Sequence, residues 1–106
     1  MDMEKINEIA FQIILYGGNG RSNAMEAIQH AKEGDFEKAD QLIEDANTEL
    51  GKAHNHQTEL LQLEARGEGA SVNVILVHSQ DHLMNAMTVR DMAIEFIELY
   101  KNGSRG

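Results

Sequence analysis

The stretch His78-Ser79-Gln80-Asp81-His82 places two imidazoles and a carboxylate within one and a half helical turns of each other. It lies in a run from Val72 to Tyr100 that contains neither proline nor glycine and reads as one helix. At about 100° of rotation per residue the polar side chains of this run separate into two groups. Asn73, Gln80, Asp91, Glu95 and Glu98 fall together as a solvated face. His78, Asp81, His82 and Asn85 fall on the opposite face, in line with Val74, Ile75, Val89, Met92, Phe96 and Leu99, where a helix normally packs. A polar group taken from water without a partner costs about 1–3 kcal/mol, so these four require compensation or a purpose.

Three chemistries and one structural role compete for them. As metal ligands, His78 and His82 have the i, i+4 spacing of a helical pair, with Asp81 a third donor. The glutamate of the metalloprotease pattern is missing, however, and Asp81 is expected to lean away from His78. A hydrolase built on Ser79 and His78 is excluded, because adjacent helical residues do not face each other. A buried polar layer would serve register and oligomer number. A phosphohistidine carrier needs one imidazole nitrogen exposed and neutral as nucleophile, with hydrogen-bonding neighbours for the phosphoryl oxygens. His78 can supply the nucleophile, and His82, one turn on, can donate to the oxygens.

The rest of the chain narrows the partners. With 106 residues it is a single domain, residues 1–106, and with no cysteine it has no disulfide, thiolate catalysis or cysteine-held metal. A net charge of −9 argues against binding nucleic acid through its phosphates. No stretch approaches the ~20 apolar residues of a membrane span, and no signal segment opens the chain, which points to a soluble, cytoplasmic protein without membrane insertion. Residues 34–70 carry nine acids and three bases, whereas residues 71–106 carry four acids and three bases. The histidine cluster therefore sits in a weakly acidic part, where an anionic partner group meets less repulsion.

Two breaks divide the chain. Gly34-Asp35 offers a left-handed helix terminus followed by a cap, and Gly67-Glu68-Gly69-Ala70-Ser71 offers another, with Ser71 as cap. The segments 3–33, 35–66 and 71–101 predict three long helices in an all-α, antiparallel up-down-up bundle. In the first, Ile6, Ile9, Ala10, Ile13, Tyr16, Gly17, Gly20, Ala24, Ala27, Ile28 and Ala31 keep one face in phase across Gly17-Gly18-Asn19-Gly20, so a single helix is expected. Gly17 and Gly20 then serve close approach of a neighbour rather than a phosphate loop, for which the preceding strand and following lysine are missing. In the second, Phe36, Ala39, Ile43, Ala46, Leu50, Ala53, Leu60 and Leu61 form the stripe, with Gln57 at its centre near the level of Asp81. His54 and His56 read as surface residues. The third is apolar nearly all round, with 17 apolar residues among the 29 from Val72 to Tyr100. Such a helix is buried on most sides, which implies oligomerisation through it and places the histidine cluster at or near a subunit interface.

Val77-His78-Ser79-Gln80-Asp81-His82-Leu83-Met84 resembles the V-H-A-Q-D-H-L-M signature of the lactose/cellobiose-class enzyme IIA proteins of the bacterial phosphoenolpyruvate-dependent sugar phosphotransferase system. Gly18-Asn19-Gly20-Arg21-Ser22 resembles that family's G-N-A-R-S segment, and Gly34-Asp35-Phe36 and Ala53-His54 with Gln57-Thr58-Glu59-Leu60 are also similar. Ser79 and Gly20 stand where alanine is usual. The resemblance implies a homotrimer of three-helix protomers. It implies that His78 accepts phosphate from the histidine-containing phosphocarrier protein and passes it to a cysteine of enzyme IIB, for uptake and phosphorylation of a β-linked disaccharide. It also implies that Asp81 of all three chains meets a metal ion, Mg²⁺, one per trimer on the three-fold axis. His82 is expected to orient the phosphoryl group, and Gln80 is a further candidate. The alternative is a non-catalytic helical interaction module.

Overall fold

The computed structural model describes residues 3–68 and 73–103. These form three helices of 30 residues each, α1 (Met3–Lys32), α2 (Phe36–Ala65) and α3 (Val74–Gly103), and contain no strand among the described residues. Helices of that length are about 45 Å long, and laid side by side they give a rod of 56 × 19 × 18 Å.

Both helix ends that face the connections close in the same way. Gly34 adopts φ 81°, the Asp35 amide donates to the His30 carbonyl (2.9 Å) and the Gly34 amide to that of Ala31 (3.0 Å). Gly67 (φ 78°) repeats the pattern, with Glu68 donating to Leu63 (2.8 Å) and Gly67 to Glu64 (3.0 Å). This paired arrangement satisfies carbonyls that a helix end otherwise leaves open, and glycine takes the left-handed position because it has no Cβ to clash. Asp35 then caps α2 by accepting from the Lys38 amide (3.2 Å), as its place after Gly34 predicts.

Cross-helix bonds set the directions. Asn73 donates to Asn7 (3.3 Å), so α3 starts beside the start of α1. Gln57 to Gln80 (2.7 Å), Arg90 to Asn47 (2.7 Å) and Lys101 to Asp40 (3.0 Å) run α2 against α3, completing up-down-up. On the α1–α2 side, Asn19 and then Lys52 donate to Glu49 (2.8 and 3.1 Å) and hold its carboxyl below the usual carboxylate range.

α1 is the central helix, continuous through its glycines, and its expected stripe is buried from Ile6 to Ala31, with Tyr16 and Ile28 at the margin. The α2 stripe is shifted from the expected one. Leu42 and Leu63 are buried, and Leu61 is 63% exposed. Half of the buried apolar residues among those described are alanine, and the reason is distance. A Cβ built on Gly20 would lie 2.8 Å from both Cδ2 and Cγ of Leu50 and 3.4 Å from the Ala46 carbonyl. Backbones this close leave room for little else.

Gly20→Ala should therefore lower stability by about 1 kcal/mol or more, since overpacking outweighs alanine's better helix propensity. Gly51→Ala, whose Cβ would meet nothing within 4 Å, should raise it by about 1 kcal/mol. Urea unfolding of both variants measures the contrast, and equal stabilities would refute the close approach as the reason for Gly20.

Candidate functional site

α3 begins at Val74 rather than 71, and Asn73 caps it. The Asn73 side chain accepts from the Leu76 amide (2.7 Å), its carbonyl accepts from Val77 (3.1 Å), and its own amide group reaches Asn7 on α1. The expected cap, Ser71, lies outside the described residues. Asn73, assigned to a solvated face, instead fixes where the site helix starts.

The face that α3 buries within the protomer is Ser79, Leu83, Ala86, Ala93 and Ile97. This corrects the expectation that the face of Val74, Met92, Phe96 and Leu99 packs. Those side chains point outward, as do Val77 and Met84, with Val74 83% and Met84 64% exposed. Three of the five inward residues are small, Ser79, Ala86 and Ala93, beside Leu83 and Ile97, and a Cβ built on Gly17 of α1 would already touch Leu83 Cα at 3.6 Å. α3 thus exposes Val74, Val77, Met84, Met92, Phe96 and Leu99, and α1 exposes Phe11 and Leu15.

His78 and Asp81 stand on this outer face, their side chains 57% and 61% exposed. Asp81 does not lean away. Its Oδ1 lies 3.4 Å from His78 Nδ1, because residues three apart share one side of a helix. The His82 ring centroid is 5.5 Å from that of His78, with planes tilted by 48°. With Asn73, Val74 and Val77, His78 and Asp81 line an open depression of about 510 Å³. His78 is thus flanked by a carboxylate on one side and a second imidazole on the other, within apolar surface.

Gln80 lies elsewhere. Two residues beyond His78 it is about 200° round the helix, half-buried against α2, where it accepts from Gln57 (2.7 Å) and donates to Ser79 Oγ (3.3 Å). The Ser79 hydroxyl donates in turn to the Leu76 carbonyl (2.7 Å), so this fully buried serine is satisfied. The expected proximity of Gln57 to this level of α3 is real, but its partner is Gln80 rather than Asp81. His54 is exposed, as expected, while His56 is half-buried and stacks on Tyr16 at 5.8 Å.

A hard divalent cation takes several oxygen ligands. Among the described residues no three His, Cys, Asp or Glu side chains converge. Asp81 presents a single carboxylate on the outward face, so it fits such a cation only as one donor among equivalents from other copies. No helix among the described residues is long and apolar enough to cross a membrane.

Residues 8–101 match the family model of the PTS system, Lactose/Cellobiose specific IIA subunit. The chain is 61% identical over 98 residues to the lichenan-specific phosphotransferase enzyme IIA component of Bacillus subtilis, covering 92% of this chain and 89% of that one. Among solved structures, the PTS cellobiose-specific enzyme IIA from Bacillus anthracis superposes with a TM-score of 0.89 at 52% identity, over 93% and 92% of the two chains. The IIA(Chitobiose) of the Escherichia coli IIA(Chitobiose)–HPr complex gives 0.78 at 35% identity, over 95% of each.

Asn73→Ala removes both the cap and the tie to Asn7, and should cost about 1 kcal/mol. Hydrogen exchange should accelerate at the amides of Leu76 and Val77 first. Unchanged protection there would mean that Asn73 does not hold the start of the site helix.

Proposed function

The chain belongs to the lactose/cellobiose-specific IIA family of the phosphotransferase system, and from that premise we propose that it is a phosphoryl carrier with His78 as the phosphorylated residue. The observation that carries this reading is an exposed imidazole set in apolar surface, with a carboxylate at its Nδ1 and a second imidazole one turn away. Asp81 beside Nδ1 favours the tautomer with the proton there, which leaves the Nε2 lone pair outward as nucleophile. The donor is a phosphohistidine on the histidine-containing phosphocarrier protein, the HPr that the chitobiose relative's complex contains. As the new P–N bond forms at His78, the P–N bond of the donor breaks, and the donor imidazole leaves with the electron pair and takes up the proton that His78 gives up. In the onward step the thiol of an enzyme IIB cysteine attacks the same phosphorus, a P–S bond replaces the P–N bond, and His78 leaves with the electron pair and takes up the thiol's proton, returning to neutral imidazole. His82 donates a hydrogen bond to the phosphoryl oxygens.

The outward apolar face of α3, extended by Phe11 and Leu15, supports a homotrimer joined through that helix. Three Asp81 carboxylates brought together repel unless neutralised, and their oxygens suit Mg²⁺; the ion, when bound, supplies that neutralisation. The lichenan and cellobiose relatives point to a system that takes up and phosphorylates a β-linked disaccharide. A non-catalytic bundle in which the histidines only set register is the competing reading, and it predicts no labelling.

Incubation with phosphoenolpyruvate, enzyme I and the phosphocarrier should add one acid-labile, base-stable phosphate per chain. His78→Ala should abolish it, and His82→Ala should slow transfer while leaving label detectable. Labelling of His78→Ala at wild-type stoichiometry would refute the assignment. Sedimentation equilibrium should give about three times the 11.8 kDa chain mass, whereas a concentration-independent monomer would sink the trimer. Asp81→Leu should lose bound metal while keeping or gaining thermal stability, since apolar replacement of buried like charges is often neutral or stabilising.

A further inference from the structure

α1 carries two adjacent glycines, Gly17 and Gly18. A Cβ on Gly17 would meet Leu83 Cα at 3.6 Å, in the ordinary contact of α1 with α3. Gly18 is half-buried and faces neither α2 nor the α3 backbone. The single atom within 4 Å of a Cβ built there is His82 Nε2, at 3.2 Å. His82 Cδ2 in turn lies 3.5 Å from the Gly17 position. The Cδ2–Nε2 edge of the ring therefore rests along the Gly17-Gly18 backbone, and the edge carrying Nδ1 is turned away from α1. Glycine is unfavourable in a helix interior compared with alanine, so an open position that serves one imidazole needs a reason in that imidazole.

We infer that Gly18 is a positioning residue for His82: its missing side chain is the seat that holds the imidazole against α1 at its distance and tilt from His78. The inference rests on the phosphoryl-carrier reading for its consequence in transfer, but not for the seat itself. A methyl group at 3.2 Å is tighter than carbon normally tolerates, so the ring must give way by a few tenths of an ångström. It can do so only away from α1. A hydrogen-bond donor aimed at phosphoryl oxygens loses effect with such a shift, since small misplacements at a reacting centre are costly in rate.

The test compares Gly18→Ala, His82→Ala and the double variant, with Gly51→Ala as a helix-propensity control at a site with open space. Gly18→Ala should remain folded and at least as heat-stable as wild type, yet accept phosphate about tenfold more slowly. The double variant should transfer at the rate of His82→Ala alone, within about twofold, because residues acting through one another are not additive. In the unphosphorylated protein, Gly18→Ala should move the imidazole NMR signals of His82 and leave those of exposed His54 in place. Wild-type transfer by Gly18→Ala, or an equal slowing in the presence and absence of His82, would overturn the inference, as would unmoved His82 signals. Should wild-type protein take no phosphate while the His82 signals still move, the carrier reading fails and the seat stands.

Discussion

The close approach of α1 to both of its neighbours, through glycine and alanine, is the constraint on which the rest of the protomer depends. At Gly20 even one methyl group would intrude on Leu50, and alanines make up half of the buried apolar residues among those described. Close-packed interiors tolerate no spare volume. Because the inner face of α3 must match, it consists of Ser79, Leu83, Ala86, Ala93 and Ile97, and the larger apolar side chains of that helix are left outside. Three small residues and only two large ones thus face inward, and most of the bulky side chains of α3 face out.

That inversion creates the setting of the site. His78 and Asp81 occupy the outward, apolar face, accessible to an approaching protein and dry once one covers it. The transfer proposed between two protein histidines would make both demands at once. The nucleophile must be reachable before contact, and water must be excluded after it, since bulk water competes for the phosphoryl group and weakens the hydrogen bonds that hold it. The polar interactions that fix α3 are kept on its other sides. Gln80 and Ser79 tie it to α2 and to its own backbone, and Asn73 ties its first turn to α1.

α1 contributes to the site although none of its side chains belongs to the histidine cluster. Its backbone at Gly17-Gly18 is the surface against which the His82 ring rests. The glycines that look like a phosphate loop in the sequence thus lie within a continuous helix, beside an imidazole they leave room for.

The number of helices, their ends at Gly34 and Gly67, the Asp35 cap and the buried stripe of α1 were all legible in the sequence. Each follows from local rules: glycine in the left-handed region, a carboxylate after it, and apolar side chains in phase along a single helix. The signature around His78 was likewise legible, because it is contiguous. The faces of α3 were not. Its apolar residues wrap nearly all round, so periodicity could not say which side the protomer keeps, and the weight of bulky residues pointed to the wrong one. Only the tertiary structure decided this, by setting Ser79, Leu83, Ala86, Ala93 and Ile97 against the other helices. It also decided that Asp81 turns to His78, that Gln80 bonds Gln57, and that Asn73 caps α3. Each of these depends on distances between helices or on rotamers, and neither quantity is written in the spacing of residues along one chain.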